Sequence, residues 1–449
     1  MLRRVGNLDP TIPDKRMEKY LGAKSEEHGT SGNVDLTYGD DWLPDIEDVY
    51  VAAEQSGHRV NPDVNNGDPI GMGMGSVCIA KGIRATSASA YLSQPPSNLK
   101  ILPNAPVARL IFDGKRAIGV QTIDGRKLLA RKEVIVSGGA LNTPQILKLS
   151  GVGPAEELRK HGIPVVLDSP MVGENLQDHC FSAAGIVMGK DPKALAGPGS
   201  QSPTPMGWLK LPNVTSSSEF RELPARIQKH MHKQTVPAME IATASTLSIQ
   251  ESVRYANFTQ HTPASFFDYE PTDSQTVFGG ICLIMNPQSR GTVTLRSSNP
   301  SDSPLIDPKF LTHQFDRRVL IEGMREMIRI FSAPVYASRT LQKLGPKDDS
   351  DDSIWDHIRS NLRSSWHMSG TACMGLSAKE AVVDDRFNIF GLKGCRVVDL
   401  SVCPFVINAH TQSTAYVLGE IAAEVIAEEY GLGEVTISGK MEQGFKGKL

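Results

Sequence analysis

The chain has 449 residues, 40% of them hydrophobic and 22% charged, a globular composition with room for two or three domains. Its formal net charge of -3 comes with no basic stripe of the kind that grips a nucleic-acid backbone, and no apolar run is long enough to span a membrane. Six cysteines without a C-x-x-C pair make neither a disulfide framework nor a zinc site and read as free, mostly buried thiols.

The first stretch of the chain, to about residue 70, is polar and turn-rich and reads as connecting structure wrapped on another part of the protein. A helix is expected over 45–56, stopping before Gly57. Gly71–Gly75 is glycine-rich, yet it follows no strand and lacks the third glycine of a G-x-G-x-x-G string, so it reads as a loop. Strands are expected at Leu99–Leu102, Val107–Phe112 and Ala117–Ile123, the last two joined through Asp113 and Gly114 as a hairpin. A further strand, Lys132–Ser137, opens on Gly138 and Gly139. The helix after it is expected over Thr143–Ser150, with Pro144 near its first position and Gly151 as its stop. A strand running through glycines into a helix leaves backbone N–H groups and the positive end of the dipole free, which is a seat for a phosphate. A helix at Ala155–His161 and a strand at Ile163–Leu167 follow.

From about Cys180 the style changes. Strand-like runs at Val277–Met285 and Gly291–Arg296 and a helix at Arg317–Phe331 point to a separate α+β domain. After Val382 the first style returns, with a strand at Cys395–Leu400 and a helix from Thr414 to about Tyr430.

Three segments carry a resemblance. Gly139–Gly153, reading GALNTPQILKLSGVG, is followed by Val172–His179, reading VGENLQDH. Trp366–Gly375 contains the string H-x-x-G-T-x-x-M beginning at His367. Val398–Gln412 contains Asn408, His410, Thr411 and Gln412. Together with His28–Gly32 and Gly82–Leu92 they resemble the glucose–methanol–choline (GMC) oxidoreductases, and the likeness runs over nearly the whole chain. It implies an α/β plus α+β fold, in which an FAD-binding, Rossmann-like domain is interleaved with a substrate-binding domain of antiparallel sheet and helices. The expected division is 1–97 as a connecting or lid region, 98–180 and 382–449 as parts of the FAD-binding domain, and 181–381 as the substrate-binding domain.

The resemblance also implies chemistry. His367 would take the hydroxyl proton of an alcohol, with His410 as its partner, while FAD would accept the hydride that no side chain can hold. Val107, Gly138, Asp399, Asn408, Thr411 and Gln412 would contact the cofactor, with Val107 near the adenine and Asp399 on the flavin side. Two plainer roles stay open at this stage: Asp399 as a helix or turn cap, and His410 as a hydrogen-bonded core residue. The substrate would be a small-molecule alcohol, and the electron acceptor is left open. The family's opening strand and G-x-G-x-x-G string are missing from this sequence. The chain is therefore expected to lack an N-terminal dinucleotide-binding segment and to bind FAD poorly by itself. A flavin-containing lyase or cyclase of the same fold, or a non-catalytic remnant, are the competing readings.

Overall fold

The computed structural model describes residues 2–12, 15–22, 26–39, 46–189, 205–244, 269, 272 and 274–433. The largest hydrophobic core is organised by an antiparallel sheet. Its strands are β5 (Cys180–Gly189), β6 (Met206–Leu209), β7 (Met239–Ala244), β8 (Gln275–Ile284) and β9 (Thr340–Leu344), in the spatial order β6-β7-β8-β5-β9, with β10 (Arg363–Ser364) pairing the start of β5. Alternation along β7 decides what each face does. Met239 and Ile241 point into the core with Cys282 and Ile284 of β8. Glu240 stands opposite Trp208 and Leu283, on the other face.

Helix α4 (Gln314–Phe331) covers the first face, sending Phe315, Val319, Leu320, Met324, Met327 and Ile330 into the same core. This apolar spacing is that of one helical stripe. His313 caps the helix, its Nδ1 accepting from the Phe315 N–H at 3.2 Å. Helix α5 (Asp351–Asn361) adds Ile354 and Ile358. The polar N-terminal stretch does wrap on this sheet: Met17, Tyr20 and Leu21 join its core, as do Ile46, Val49 and Tyr50 of helix α1 (Ile46–Gln55).

The second core belongs to the smaller sheets. Strands β1 (Val107–Asp113), β2 (Arg116–Thr122) and β3 (Lys127–Leu129) form a meander. Strand β4 (Val134–Val136) pairs in parallel with β11 (Cys395–Val397). Helix α2 (Gly139–Leu149) follows β4, α3 (Ala155–Lys160) comes next, and α6 (Gln412–Glu429) closes the described chain apart from its last turn. All six cysteines are free and five are buried. Among the described residues, no helix is long and apolar enough to cross a membrane.

Several expected elements differ. Leu99–Leu102 is not a strand: Leu99, Ile101 and Leu102 are exposed, and Pro103, which has no N–H, follows directly. Ile163–Val166 is irregular around Pro164, leaving only Leu167–Asp168 to pair with Val152–Gly153. Gly71–Gly73 is a short buried strand and not a loop, and glycine is required by the close approach of Asn61. A Cβ on Gly73 would sit 2.4 Å from the Asn61 carbonyl oxygen. The β11 strand stops at Val397, where Asp399 starts a 3-10 turn over Leu400–Val402.

Helix α2 starts at Gly139, four residues before the expected Thr143, so Pro144 lies inside it. Proline has no N–H for the carbonyl four residues back, here that of Ala140. The freed oxygen accepts instead from the Thr371 hydroxyl at 2.6 Å, with both residues buried. One signature segment thereby creates an orphan acceptor and another supplies its donor. Thr371→Val is expected to cost about 1–3 kcal/mol in denaturant unfolding, because it leaves that carbonyl unpaired. In a Pro144→Ala background the helix regains its own donor, and the cost of Thr371→Val should drop by roughly 1 kcal/mol, which a double-mutant cycle measures.

Candidate active site

Four segments meet around three histidines. His179 ends the loop that enters β5, His367 follows β10, His410 precedes α6, and Glu240 is the second residue of β7. The Nδ1 atoms of His179 and His367 are 3.0 Å apart, with the rings at 90°. The rings of His367 and His410 have centroids 4.9 Å apart. On its far side, His410 Nε2 lies 2.7 Å from Glu240 Oε1. Glu240 is fully buried, while the side chain of His410 is half exposed.

The His367 loop is held mainly by Asp178. One carboxylate oxygen accepts the His367 N–H at 2.9 Å and the other accepts the Ser364 hydroxyl. Gln177 and Ser369 exchange backbone hydrogen bonds of 3.0 and 2.9 Å. Trp366, largely exposed, takes a left-handed conformation at φ 60° just before His367. The glycine of the H-x-x-G-T string is dictated by sterics: Gly370 has φ 93°, and a Cβ there would be 2.5 Å from the Asn175 carbonyl oxygen.

Burial divides the histidines. It pushes His179 down to about 3, helped by the charges of His367 and His410. It pushes His367 down to about 4, again with His410 adding to the effect. Burial pulls His410 down as well, but the hydrogen bond and charge of Glu240 outweigh it and leave His410 above its ordinary value. Desolvation raises Asp178 to about 6 despite its hydrogen bonds.

The structure places the other expected site residues as follows. Asp399 is a cap: one oxygen accepts from the Gly139 N–H at 2.9 Å and the Thr143 hydroxyl at 2.6 Å, the other from the Ser401 N–H at 2.7 Å. At the head of α2, where a phosphate seat is expected, the protein's own carboxylate takes one of the backbone N–H donors, that of Gly139. Gly138 donates to Thr143 Oγ1 at 2.9 Å within this network. Thr411 and Gln412 lie at the N-terminus of α6, which has no side-chain cap, and Cys78 donates to Gln412 Oε1 at 3.6 Å. Asn408 Nδ2 approaches His230 Nε2 at 3.5 Å. Val107 opens β1, in the meander and apart from the histidine cluster.

Glu240 escaped the sequence reading because no motif holds it. Its signal was a lone carboxylate in the apolar run Met239–Ala244. Asp178 and His179 lay inside a recognised string but received no role.

Two family models, both described as GMC oxidoreductase, match residues 17–181 and 287–419. An alcohol dehydrogenase [acceptor] of Pseudomonas putida is 32% identical over 92% of this chain and 74% of its own length. The chain belongs to the GMC oxidoreductase family. An oxygen-dependent choline dehydrogenase of Cronobacter sakazakii is 29% identical over 94% of the chain and 75% of its own length. Among solved structures, an FAD-dependent oxidoreductase from Chaetomium thermophilum superposes with a TM-score of 0.77 at 23% identity, covering 96% of this chain and 80% of that one. An Aspergillus oryzae formate oxidase gives 0.78 at 22% identity, covering 96% and 77%. These two show the fold: it is the FAD-binding fold of GMC oxidoreductases. As a member of the family the chain is an FAD-dependent oxidoreductase acting on CH–OH donors. The match to the N-terminal family model begins at residue 17, so the expectation of a missing N-terminal segment draws no support from it.

The raised Asp178 carboxyl makes stability depend on pH. A carboxyl whose folded value lies above its unfolded value of 3.8 binds its proton more tightly when folded. The fold is therefore favoured below about pH 4 and loses that contribution as pH rises toward 6, a loss of about 2–3 kcal/mol. Asp178→Asn removes the titration. Denaturant unfolding of the variant should gain on the unsubstituted chain between pH 4 and pH 6.5, and equal slopes in that window would contradict the assignment.

Proposed function

We propose that this chain oxidises a small-molecule alcohol to a carbonyl compound, with His367 accepting the hydroxyl proton at Nε2 and His410 donating to the alcohol oxygen. The observation that carries this reading is the pairing of the His367 and His410 rings, 4.9 Å apart, one held at Nδ1 by His179 and the other at Nε2 by Glu240; their surroundings push the two in opposite directions. Pairs of titratable groups pushed in opposite directions mark a base and an acid. His367 is neutral over the working range and has a lone pair to offer. His410, raised by Glu240, holds its proton more tightly than an ordinary histidine and would supply the N–H that holds the oxygen. The Nδ1 of His367 is taken by His179, so Nε2 is the atom left for substrate.

FAD, when bound, takes the hydride that leaves the carbinol carbon. The residues present fit this group at one end: the first turn of α6, without a side-chain cap, keeps N–H donors and the positive end of its dipole free beside His410. Asn408, Thr411 and Gln412 are the residues assigned to hold the cofactor there, and Val107 lies in the part of the chain assigned to its adenosine. Gly138 and Asp399 serve the cofactor indirectly, by fixing the head of α2. The names of the relatives support the same reaction class, since the Pseudomonas putida protein is called an alcohol dehydrogenase.

Anaerobic mixing of the purified flavoprotein with a panel of alcohols tests the proposal. Bleaching of the flavin absorbance by at least one of them is expected, and failure with all would count against it. His367→Ala should lower kcat/KM on the order of 10²–10⁴-fold. The pH profile should rise through about 4 as His367 loses its proton and fall above the ordinary histidine value as His410 loses its own. Glu240→Gln removes the charge that sustains His410 and should draw the alkaline limb to lower pH. An alkaline limb unmoved in that variant would show that some other group sets it.

A further inference from the structure

A hydrogen bond between two facing ring nitrogens needs one proton and one lone pair, because two protons repel and so do two lone pairs. His179 and His367 face each other through their Nδ1 atoms at 3.0 Å, so the protonation of one ring dictates that of the other. A neutral imidazole carries its single proton on one of its two nitrogens. If His367 Nδ1 accepts, its proton sits on Nε2 and the ring has no lone pair to turn toward an alcohol. If His367 Nδ1 donates, Nε2 is the free base.

We propose that His179 is a positioning residue that fixes His367 in the tautomer with its proton on Nδ1, donated to His179 Nδ1, and its lone pair on Nε2. The proposal rests on the reading of His367 as the base. His179 is suited to this task because it cannot turn away: it is fully buried, and its edge-on ring meets His367 at 90°. Its Nε2 is buried and has no hydrogen-bond partner among the described residues, so His367 is the one group its ring meets through a hydrogen bond. With His367 as the base, the proton between the rings belongs to His367 Nδ1, so His179 accepts at Nδ1 and carries its own single proton on Nε2. Burial keeps both rings neutral, so one proton lies between them and not two.

The neighbouring residue completes the arrangement, since Asp178 holds the His367 backbone while His179 holds its ring. When Nε2 of His367 gains the hydroxyl proton, the ring becomes an imidazolium whose Nδ1–H still points at the His179 lone pair. The positive charge is then stabilised by an acceptor already in place.

Long-range proton–nitrogen NMR spectra of the purified full chain report the tautomer of each histidine without any turnover. His367 is expected with its proton on Nδ1. In His179→Phe it should revert to the Nε2–H form that free histidine prefers in water, and kcat should fall on the order of 10²-fold or more. His179→Asn places an amide oxygen where Nδ1 was, and should retain the Nδ1–H form and recover most of the rate. A proton found on His367 Nε2 in the unsubstituted chain would overturn the proposal, and that spectrum requires no variant to fold. So would an unchanged tautomer in His179→Phe. A chain that shows the Nδ1–H form but oxidises no alcohol would support this assignment and overturn the proposed function instead.

Discussion

The first turn of α2 is the joint on which both histidine-bearing segments rest. Its N–H at Gly139 and its Thr143 hydroxyl are gathered by Asp399, whose other oxygen starts the 3-10 turn leading toward His410. Its Ala140 carbonyl, freed by Pro144, is gathered by Thr371, four residues beyond His367. The helix therefore presents an exposed donor end and a vacated acceptor within one turn, and each recruits a different piece of the C-terminal chain. A buried polar group left unpaired costs more than an ordinary hydrogen bond contributes. Such contacts specify where a segment must lie more sharply than apolar packing does, because a slip of one residue leaves a donor or acceptor stranded in the core.

This joint lies in the smaller core, and the antiparallel sheet must be brought to it. The connection is the segment Gln177–His179, which exchanges backbone bonds with Ser369, clamps His367 through Asp178 and then enters the sheet as β5. Two strands away in the same sheet, β7 directs Glu240 back toward His410. The cluster is thus assembled from both cores. The larger sheet supplies Glu240 and the strands next to His179 and His367, while His410 stands at the head of α6, which packs on the smaller core.

What the sequence disclosed follows from how local each cause is. The hairpin at Asp113 and Gly114 and the helices ending at Gly57 and Phe331 are governed by turn chemistry and by apolar spacing within a few residues, and the structure has them close to where they were expected. Leu99–Leu102 has the residues of a strand but no partner to pair with, which no local pattern reveals. At Gly138 and Gly139 the local pattern showed free helix donors but not that Asp399, some 260 positions away in the chain, takes the N–H of Gly139. His367 and His410 were legible because their segments carry recognisable strings. Glu240 was not, because its importance lies in the sheet register that turns it toward His410 and not in its neighbours in sequence.

For the proposed reaction, a base held near 4 looks ill-chosen, since it binds a proton weakly. The weakness is useful if proton loss from the alcohol keeps pace with hydride departure. As the hydride leaves carbon, the oxygen it leaves behind becomes far more acidic, and even a weak base can then take the proton. A stronger base at His367 would be occupied by solvent protons at working pH and would need to release one before each turnover. In the proposed reaction a protonated His410 would lower His367 and also stabilise negative charge on the alcohol oxygen between them, so one electrostatic arrangement would serve both ends of the transfer. At His410 the buried carboxylate of Glu240 outweighs the burial that pulls His179 and His367 down, and this is what sets the one ring apart from the other two.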